Sequence, residues 1–282
     1  MTEAFEFIQL GGERLFAALH VPDHPTSRAV VMCHPLGEEK LWSHRVFVSF
    51  ARDLASSGYL ALRFDFRGEG DSDREFEQSD FESRIADACM ALDFIRRSQP
   101  SVTEITLMGL RLGASVAAAA AARNQEVQRL LLWDPVVDGE AYMQSFLRLN
   151  LMYQMSVHRR VVENRDALVA RLAGGDTVNI EGYELADALF RQVSAFRLRD
   201  TLPGFNGETV IVQINQGDAP PKSDLTELCE GNPRCRLASA QEEPFWKEIK
   251  TLYQRAANLT AVSFAALAAG PATNALLDYR TT

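Results

Sequence analysis

The sequence has few cysteines, no long apolar run and no excess of positive charge. Four widely spaced cysteines (Cys33, Cys89, Cys229 and Cys235) are expected to be reduced thiols of a cytoplasmic protein, although Cys229 and Cys235 could bridge under oxidation. No segment has the roughly 18 apolar residues of a membrane span, and the first residues lack the basic and apolar regions of a secretory signal. A net charge of -9 disfavours nucleic acid and anionic membrane surfaces as partners.

The composition is that of a globular protein, and the pattern predicts an α/β fold. Of the 282 residues, 46% are hydrophobic and 24% are charged, which excludes a disordered or fibrous chain. After a predicted hairpin around Gly11-Gly12, short apolar runs alternate with helical patterns, the first of which predicts a helix from Arg45 to Ser56. Runs such as VVMC, LALRF and LLLW lack strict alternation, as strands buried on both faces do. The sequence therefore predicts a doubly wound, mostly parallel sheet covered by helices on both sides.

One long segment interrupts this alternation. Residues 139–202 show helical or irregular patterns without a clear strand and are predicted to form an inserted cap, with residues 1–138 and 203–257 forming the core. Within the cap, an apolar run with helical spacing predicts either core packing or a methionine-rich lip for an acyl chain or a partner. Its members are Phe146, Leu147, Leu149, Leu151, Met152 and Met155. The Ala-rich tail, residues 258–282, is interrupted by Gly270-Pro271, and the sequence leaves its structure open.

The residues that follow the predicted strands carry the functional signal. In open parallel sheets the ligand site lies beyond the carboxyl ends of the strands. Three loops stand there: His34-Pro35-Leu36-Gly37-Glu38-Glu39, the run DFRGEGDSD beginning at Asp65, and Gly109-Leu110-Arg111-Leu112-Gly113 leading into an Ala-rich helix. The last of these has the spacing of a sharp turn between a strand and a helix.

These motifs resemble those of the α/β-hydrolase superfamily, over nearly the whole chain up to about Tyr253. The DxRGxGDS run and the small-x-x-x-small elbow carry that resemblance. More narrowly, GLRLGA, LWDPVVDG, GYELA and EPFW resemble the exosortase-A-system-associated hydrolase type two family, which implies a setting near exopolysaccharide production. The resemblance implies a hydrolase fold, and the sequence itself gives no sign of a cofactor or a metal site.

The chain departs from the superfamily at the two residues that perform catalysis. The elbow of the family is GxSxG, with the serine as nucleophile. Gly109 and Gly113 keep the two glycine positions, but Arg111 occupies that of the serine. A guanidinium stays protonated at ordinary pH and has no lone pair with which to attack a carbonyl. No histidine occurs after His158, so the histidine expected after the last strand is missing too.

Several acidic residues are candidates for the environment of Arg111. By order along the chain, Glu242 or Glu243 stands where the general base should be, and either is predicted to form an ion pair with Arg111. Glu38 and Glu39 are alternative partners. Asp218 and Asp134 are candidates for the acid of the triad, and His34 is a further catalytic candidate whose usual task in such turns is to shape the oxyanion loop. These candidates are Glu38, Glu39, Asp134, Asp218, Glu242, Glu243 and His34.

Three functions remain open from the sequence. First, Arg111 and the backbone N–H groups of Leu36 and Leu112 could hold a small anionic or acyl-bearing ligand without cleaving it. Second, water activated by Glu243 or Asp218 could support hydrolysis or acyl transfer. Third, the chain could be an interaction or scaffold protein, recognised by an exposed apolar face on the cap. The sequence carries no signal for an oligomeric state.

Overall fold

The computed structural model describes residues 1–248 and 253–268. An eight-stranded sheet forms its centre. The first two strands form an antiparallel hairpin at one edge of this sheet, and the other six strands run parallel to one another. The strands of this sheet are β1 (Thr2–Leu10), β2 (Glu13–Val21), β3 (Arg28–Cys33), β4 (Leu60–Phe64), β5 (Glu104–Leu110), β6 (Arg129–Trp133), β9 (Glu208–Asn215) and β10 (Cys235–Gln241), while β7 (Val178–Ile180) and β8 (Tyr183–Leu185) form a separate hairpin.

The order of the strands across the sheet is β1-β2-β4-β3-β5-β6-β9-β10. Strand β2 pairs antiparallel with β1 and with β4, and every other neighbouring pair is parallel. Strand order reverses next to β3, so the loops after β3 and β5 meet at the carboxyl edge of the sheet. The predicted doubly wound, mostly parallel α/β fold is confirmed.

Helices cover both faces of the sheet. Each face has its own apolar cluster, one built from α2, α3 and the insertion and the other from α1, α9 and the side chains around Trp133. The helices are α1 (Glu38–Ser56), α2 (Phe81–Ser98), α3 (Leu112–Arg123), α4 (Gly139–His158), α5 (Arg165–Ala173), α6 (Asp187–Ala195), α7 (Leu198–Thr201), α8 (Ser223–Cys229) and α9 (Ala257–Ala268).

Two elements differ from the sequence-based expectation. Helix α1 begins at Glu38, directly after Gly37, rather than near Arg45 as the apolar periodicity suggested. The two acidic residues of its first turn suit the positive end of the helix dipole. Between β6 and β9, the inserted segment contains not only helices but also the β7–β8 hairpin, which turns through Glu181 and Gly182.

Two of the four cysteines also differ from the expectation of reduced thiols. Cys229, at the end of α8, and Cys235, at the start of β10, form a disulfide, while Cys33 and Cys89 are free. The Ala-rich tail begins as α9, whose Ser263 Oγ accepts a hydrogen bond from the buried Trp133 indole. Its remainder, residues 269–282, lies outside the described residues. None of the helices within the described ranges is both long and apolar enough to cross a bilayer.

Candidate functional site: an arginine at the nucleophile elbow

Arg111 adopts the strained backbone that a nucleophile elbow requires. It links β5 to α3 with φ 53° and ψ -121°, a left-handed conformation that is costly for a residue with a side chain. Its N–H donates to the carbonyl of Trp133, and its carbonyl accepts from the N–H of Val136 and of Ser115. These bonds hold the turn, so the Arg111 side chain projects from the position at which the family carries its nucleophile.

The flanking glycines are required by close packing. A Cβ atom on Gly109 would lie 2.3 Å from the carbonyl oxygen of Gly113, and one on Gly113 would lie 2.3 Å from the carbonyl oxygen of His34. Real Cβ atoms do not approach backbone this closely, so any side chain would force the turn apart. The turn that carries Arg111 therefore has the close backbone packing that a nucleophile elbow requires.

Two carboxylates neutralise the Arg111 guanidinium. Nη1 lies 3.2 Å from Asp134 Oδ2 and 3.1 Å from the Asp134 carbonyl oxygen, and Nε lies 3.5 Å from Glu39 Oε1. Asp134 follows β6 and is also bound by Lys222, whose Nζ lies 2.8 Å from Oδ1. Glu39 comes from the first turn of α1 and accepts a hydrogen bond of 3.0 Å from the Tyr142 hydroxyl. Two cations and two carboxylates thus form a cluster without net charge.

Two aromatic rings enclose the same guanidinium. The ring centroids of Tyr142, from α4 of the insertion, and of Trp246, from the loop after β10, each lie 5.7 Å from Arg111 Cζ. That distance is within the range of a cation–π contact. Trp246 is almost fully buried, and the Arg111 side chain is 22% exposed. We call Arg111, Glu39, Asp134, Lys222, Tyr142 and Trp246 the elbow cluster.

Burial and neighbouring charges shift the pKa values of three groups in the elbow cluster. Burial opposes the charge on Arg111, but Glu39 and Asp134 outweigh it, and the pKa of the guanidinium lies above its ordinary value. For Glu39 burial prevails over the attraction of Arg111, so the pKa of this carboxyl is raised. Burial, together with the charge on Glu39, also raises the pKa of Tyr142 well above its usual value. Tyr142 is therefore a hydrogen-bond donor at neutral pH.

The oxyanion loop survives beside the elbow. The side chains of Leu36 and Leu112 are buried, and within residues 1–248 and 253–268 neither backbone N–H has a hydrogen-bond acceptor. His34 Nδ1 lies 2.8 Å from the Pro35 carbonyl oxygen, and Nε2 lies 3.4 Å from the N–H of Phe66. Burial, with a contribution from nearby Lys40, holds the pKa of His34 well below its usual range. A neutral ring with both nitrogens engaged braces the loop.

The remaining predicted partners of Arg111 make their contacts elsewhere. Glu242 Oε1 accepts from the N–H of Asn258 at 2.7 Å and thereby caps α9. Glu243 Oε1 accepts from Gln216 Nε2 at 3.2 Å. Asp218 lies exposed in the turn after β9, and Glu38 is a half-buried neighbour of Tyr183. The ion pair expected with Glu242 or Glu243 is thus made by Glu39 and Asp134, because α1 begins early enough to bring Glu39 over the elbow.

Sequence reasoning missed three members of the elbow cluster. Tyr142 lies in α4, Lys222 directly precedes α8 and Trp246 follows β10, so these residues are far apart in sequence and no local spacing joins them. Trp246 carried the only signal, because it stands in the loop where the family has its histidine. Among the described residues, no group of three or more His, Cys, Asp or Glu side chains is arranged to hold a metal ion.

A family model described as serine aminopeptidase, S33, matches residues 24–193, which is more than half of the chain. The chain belongs to this hydrolase family. Among curated proteins, an uncharacterized protein of Rickettsia prowazekii (strain Madrid E) is 30% identical over 136 residues, which are 48% of this chain and 56% of that protein. The chain therefore spans little more than half the length of that relative.

Solved structures share the fold over most of this chain. Est1E from Butyrivibrio proteoclasticus, solved with ferulic acid bound, has a TM-score of 0.71 at 18% identity, covering 93% of this chain and 97% of that one. The DcsB complex with its substrate analogue has a TM-score of 0.64 at 17% identity, covering 93% and 98%. At these identities the similarity establishes the α/β-hydrolase fold and nothing about the reaction.

Proposed function

We propose that this chain is a non-hydrolytic interaction protein built on a hydrolase fold. The proposal rests on one observation: the side chain at the elbow is Arg111, and its guanidinium forms ion pairs with Glu39 and Asp134. A side chain without a lone pair occupies the nucleophile position, and Trp246 stands in the loop of the missing histidine. Covalent ester hydrolysis needs a nucleophile such as serine and a general base such as histidine, and the elbow cluster contains neither residue.

The geometry favours this proposal over a bound small anion at Arg111. An incoming carboxylate or phosphate would have to displace Glu39 or Asp134 from the guanidinium and leave a partly buried carboxylate without its partner. Breaking a buried ion pair costs several kcal/mol, which is about as much as the new ion pair between Arg111 and the added anion would contribute. Without the guanidinium, the backbone N–H groups of Leu36 and Leu112 are the remaining donors. They could bind a neutral carbonyl oxygen rather than a full negative charge.

A second candidate, hydrolysis without a serine, is favoured by one observation. Glu39 is a carboxyl with a raised pKa beside the oxyanion loop, and a carboxylate perturbed in this way can act as a general base toward water. Structural neighbours described as an esterase and as a thioesterase domain suggest esters and thioesters as the substrate class for such a reaction. Against it, both oxygens of Glu39 are occupied, one by Tyr142 and one by Arg111.

Turnover measurements separate the two candidates. Purified wild type, Glu39→Gln and Arg111→Ser would be assayed with p-nitrophenyl acetate and an acyl thioester, with Glu77→Gln on the exposed surface as the matched control. We expect no turnover above buffer in any of them, since Arg111→Ser restores a hydroxyl but no histidine. Saturable turnover by the wild type that is lost in Glu39→Gln and kept in Glu77→Gln would overturn the proposal.

Thermal shift tests the anion-binding alternative. Acetate and phosphate are expected to raise the melting temperature of the wild type no more than that of Arg111→Met at equal ionic strength. A stabilisation that saturates with anion concentration and disappears in Arg111→Met would assign the elbow cluster to a ligand. The narrower resemblance to a family of exopolysaccharide production stays a prediction about the setting in which the chain works.

A further inference from the structure

The far end of α4 carries an unusual concentration of exposed apolar side chains. Six of the eleven large apolar side chains that the described residues expose lie within residues 152–162, each between 45% and 62% accessible. We call this segment the cap tip. The cap tip contains Met152, Tyr153, Met155, Val157, Val161 and Val162. A concentration of exposed apolar side chains of this kind marks an interaction site, because it is otherwise costly to keep in water.

The cap tip is held in a defined shape by a buried glutamine. Gln154 Oε1 accepts from the N–H groups of Val162 and Glu163, at 2.6 and 2.8 Å. Its Nε2 donates to the Glu163 carbonyl and to Asn150 Oδ1, at 3.0 and 2.7 Å. Three of these hydrogen bonds tie the end of α4 to the returning chain, and the fourth joins Gln154 to Asn150 of the same helix, so the apolar side chains are presented on a fixed projection.

The charge of the cap tip is opposite to that of the protein. Residues 152–162 contain no acidic residue but include His158, Arg159 and Arg160, whereas the whole chain carries -9. Arg159, which ends α4 in the left-handed conformation, and Arg160 are exposed, and neither makes an ion pair with another residue in the described parts of the chain. The basic character is therefore available to an acidic surface.

We propose that the cap tip docks the protein on an anionic lipid surface. Around a helix with 100° per residue, Met152, Tyr153, Met155 and Val157 point in widely different directions. A projection that is apolar on several sides suits a fluid interface, in which lipid closes around it, better than a flat protein face. Reversible membrane binding needs such an apolar insertion together with basic residues, and the cap tip supplies both.

The rest of the surface would favour one orientation. An anionic bilayer repels the acidic body of the protein and attracts the basic cap tip. The net charge of -9, which sums over the whole chain, does not reveal this local basic surface and therefore predicted no binding to anionic membranes. A second copy of the chain is a poorer occupant, because a symmetric contact would bring Arg159 and Arg160 against their own counterparts. The inference deepens the proposed interaction role, but it does not depend on whether the chain hydrolyses esters.

Vesicle sedimentation tests the proposal with the whole chain of 282 residues. The wild type is expected to bind vesicles of equal parts phosphatidylcholine and phosphatidylglycerol, to bind phosphatidylcholine vesicles weakly, and to dissociate at high salt. Arg159→Glu with Arg160→Glu should lower the partition coefficient at least about tenfold, because each basic residue near such a surface adds roughly a factor of five or more. Val157→Asp with Val161→Asp should reduce binding at both lipid compositions.

Matched controls lie away from the cap tip. Phe5→Asp replaces an equally exposed apolar residue on β1, and Arg191→Glu reverses an exposed charge on α6. Both should bind as the wild type does, and circular dichroism should show that all variants unfold at unchanged temperature, since the replaced groups are exposed.

Three results would overturn the proposal. These are no binding of the wild type to anionic vesicles, binding that the cap-tip variants retain, or a wild-type dimer that Val157→Asp with Val161→Asp dissociates without any lipid binding. The last result would assign the cap tip to self-association. Ester turnover by a protein that still binds vesicles would refute the absence of hydrolysis and leave this inference standing.

Discussion

Removing the Arg111 guanidinium should destabilise the protein at neutral pH, because two carboxylates would lose their shared partner. Arg111→Met keeps an unbranched side chain of similar reach but no charge. Breaking a buried ion pair from one side typically costs about 3–5 kcal/mol. Lys222 remains on Asp134, and Glu39 can take up a proton, so the lower end of that range, about 3 kcal/mol, is expected. For a chain of this length this corresponds to a fall in melting temperature of roughly 6–12 °C.

The loss should depend on pH in a defined direction. Glu39 has a folded-state pKa above its unfolded value, so its ionisation removes stability as pH rises from the unfolded pKa through the folded one. Without Arg111 that folded-state pKa rises further. The difference between wild type and Arg111→Met should therefore be larger at pH 8 than at pH 5, which urea unfolding followed by circular dichroism would measure.

A double-mutant cycle tests the assignment of the partner. Glu39→Gln in the Arg111→Met background removes the stranded charge and should recover part of the lost stability, so the two changes should not be additive. Arg191→Met, which breaks an exposed pair with Asp187, should cost less than about 0.5 kcal/mol. Full stability of Arg111→Met at pH 8, or strict additivity in the cycle, would refute the reasoning.

Three further changes test other parts of the fold. Burial lowers the pKa of His20 to about 4, so the contribution of the neutral ring to the free energy of unfolding is complete above pH 6.5 and is lost as pH falls toward 4. In urea titrations over that interval, the wild type should lose up to about 3 kcal/mol of stability relative to His20→Gln. Gly113→Ala would press a Cβ onto the His34 carbonyl and should cost about 3 kcal/mol or more, measured by thermal unfolding; an unchanged melting temperature would contradict the packing. Cys229→Ser with Cys235→Ser should cost about 2 kcal/mol without reductant and nothing with it, unless the disulfide is absent in solution.

The sequence was sufficient for the sheet and for the elbow because both depend on local patterns. Buried strands are short apolar runs, and the close approach of Gly109 to Gly113 leaves a fixed spacing around Arg111. The partners of Arg111 have no such pattern. Tyr142 and Trp246 reach the guanidinium only because the insertion and the loop after β10 fold over the same edge of the sheet, and tertiary packing of this kind leaves no periodicity in the chain.

The predicted first residue of α1 was several residues too late, and this error changed the expected ion-pair partner of Arg111. The apolar periodicity of α1 begins near Arg45, whereas the helix itself begins at Glu38 because Gly37, at φ 58°, allows the chain to turn directly from the oxyanion loop into a helix. Those additional turns convert Glu39 from a loop residue into a group with a fixed direction. Acidic residues just after a glycine were the available signal, since they favour the first turn of a helix.

The elbow cluster also predicts what a serine at the elbow would do. Arg111→Ser would supply a hydroxyl at this position but would leave Glu39 and Asp134 without the guanidinium that they share, with only Asp134 still bound by Lys222. Two nearby carboxylates cannot both stay ionised in a partly buried site without cost. Arg111→Ser alone should therefore destabilise the fold, and it adds no histidine. A serine at this position would require compensating changes on α1, after β6 and in the loop of Trp246 together, so the arginine is fixed by its neighbours as much as by its own chemistry.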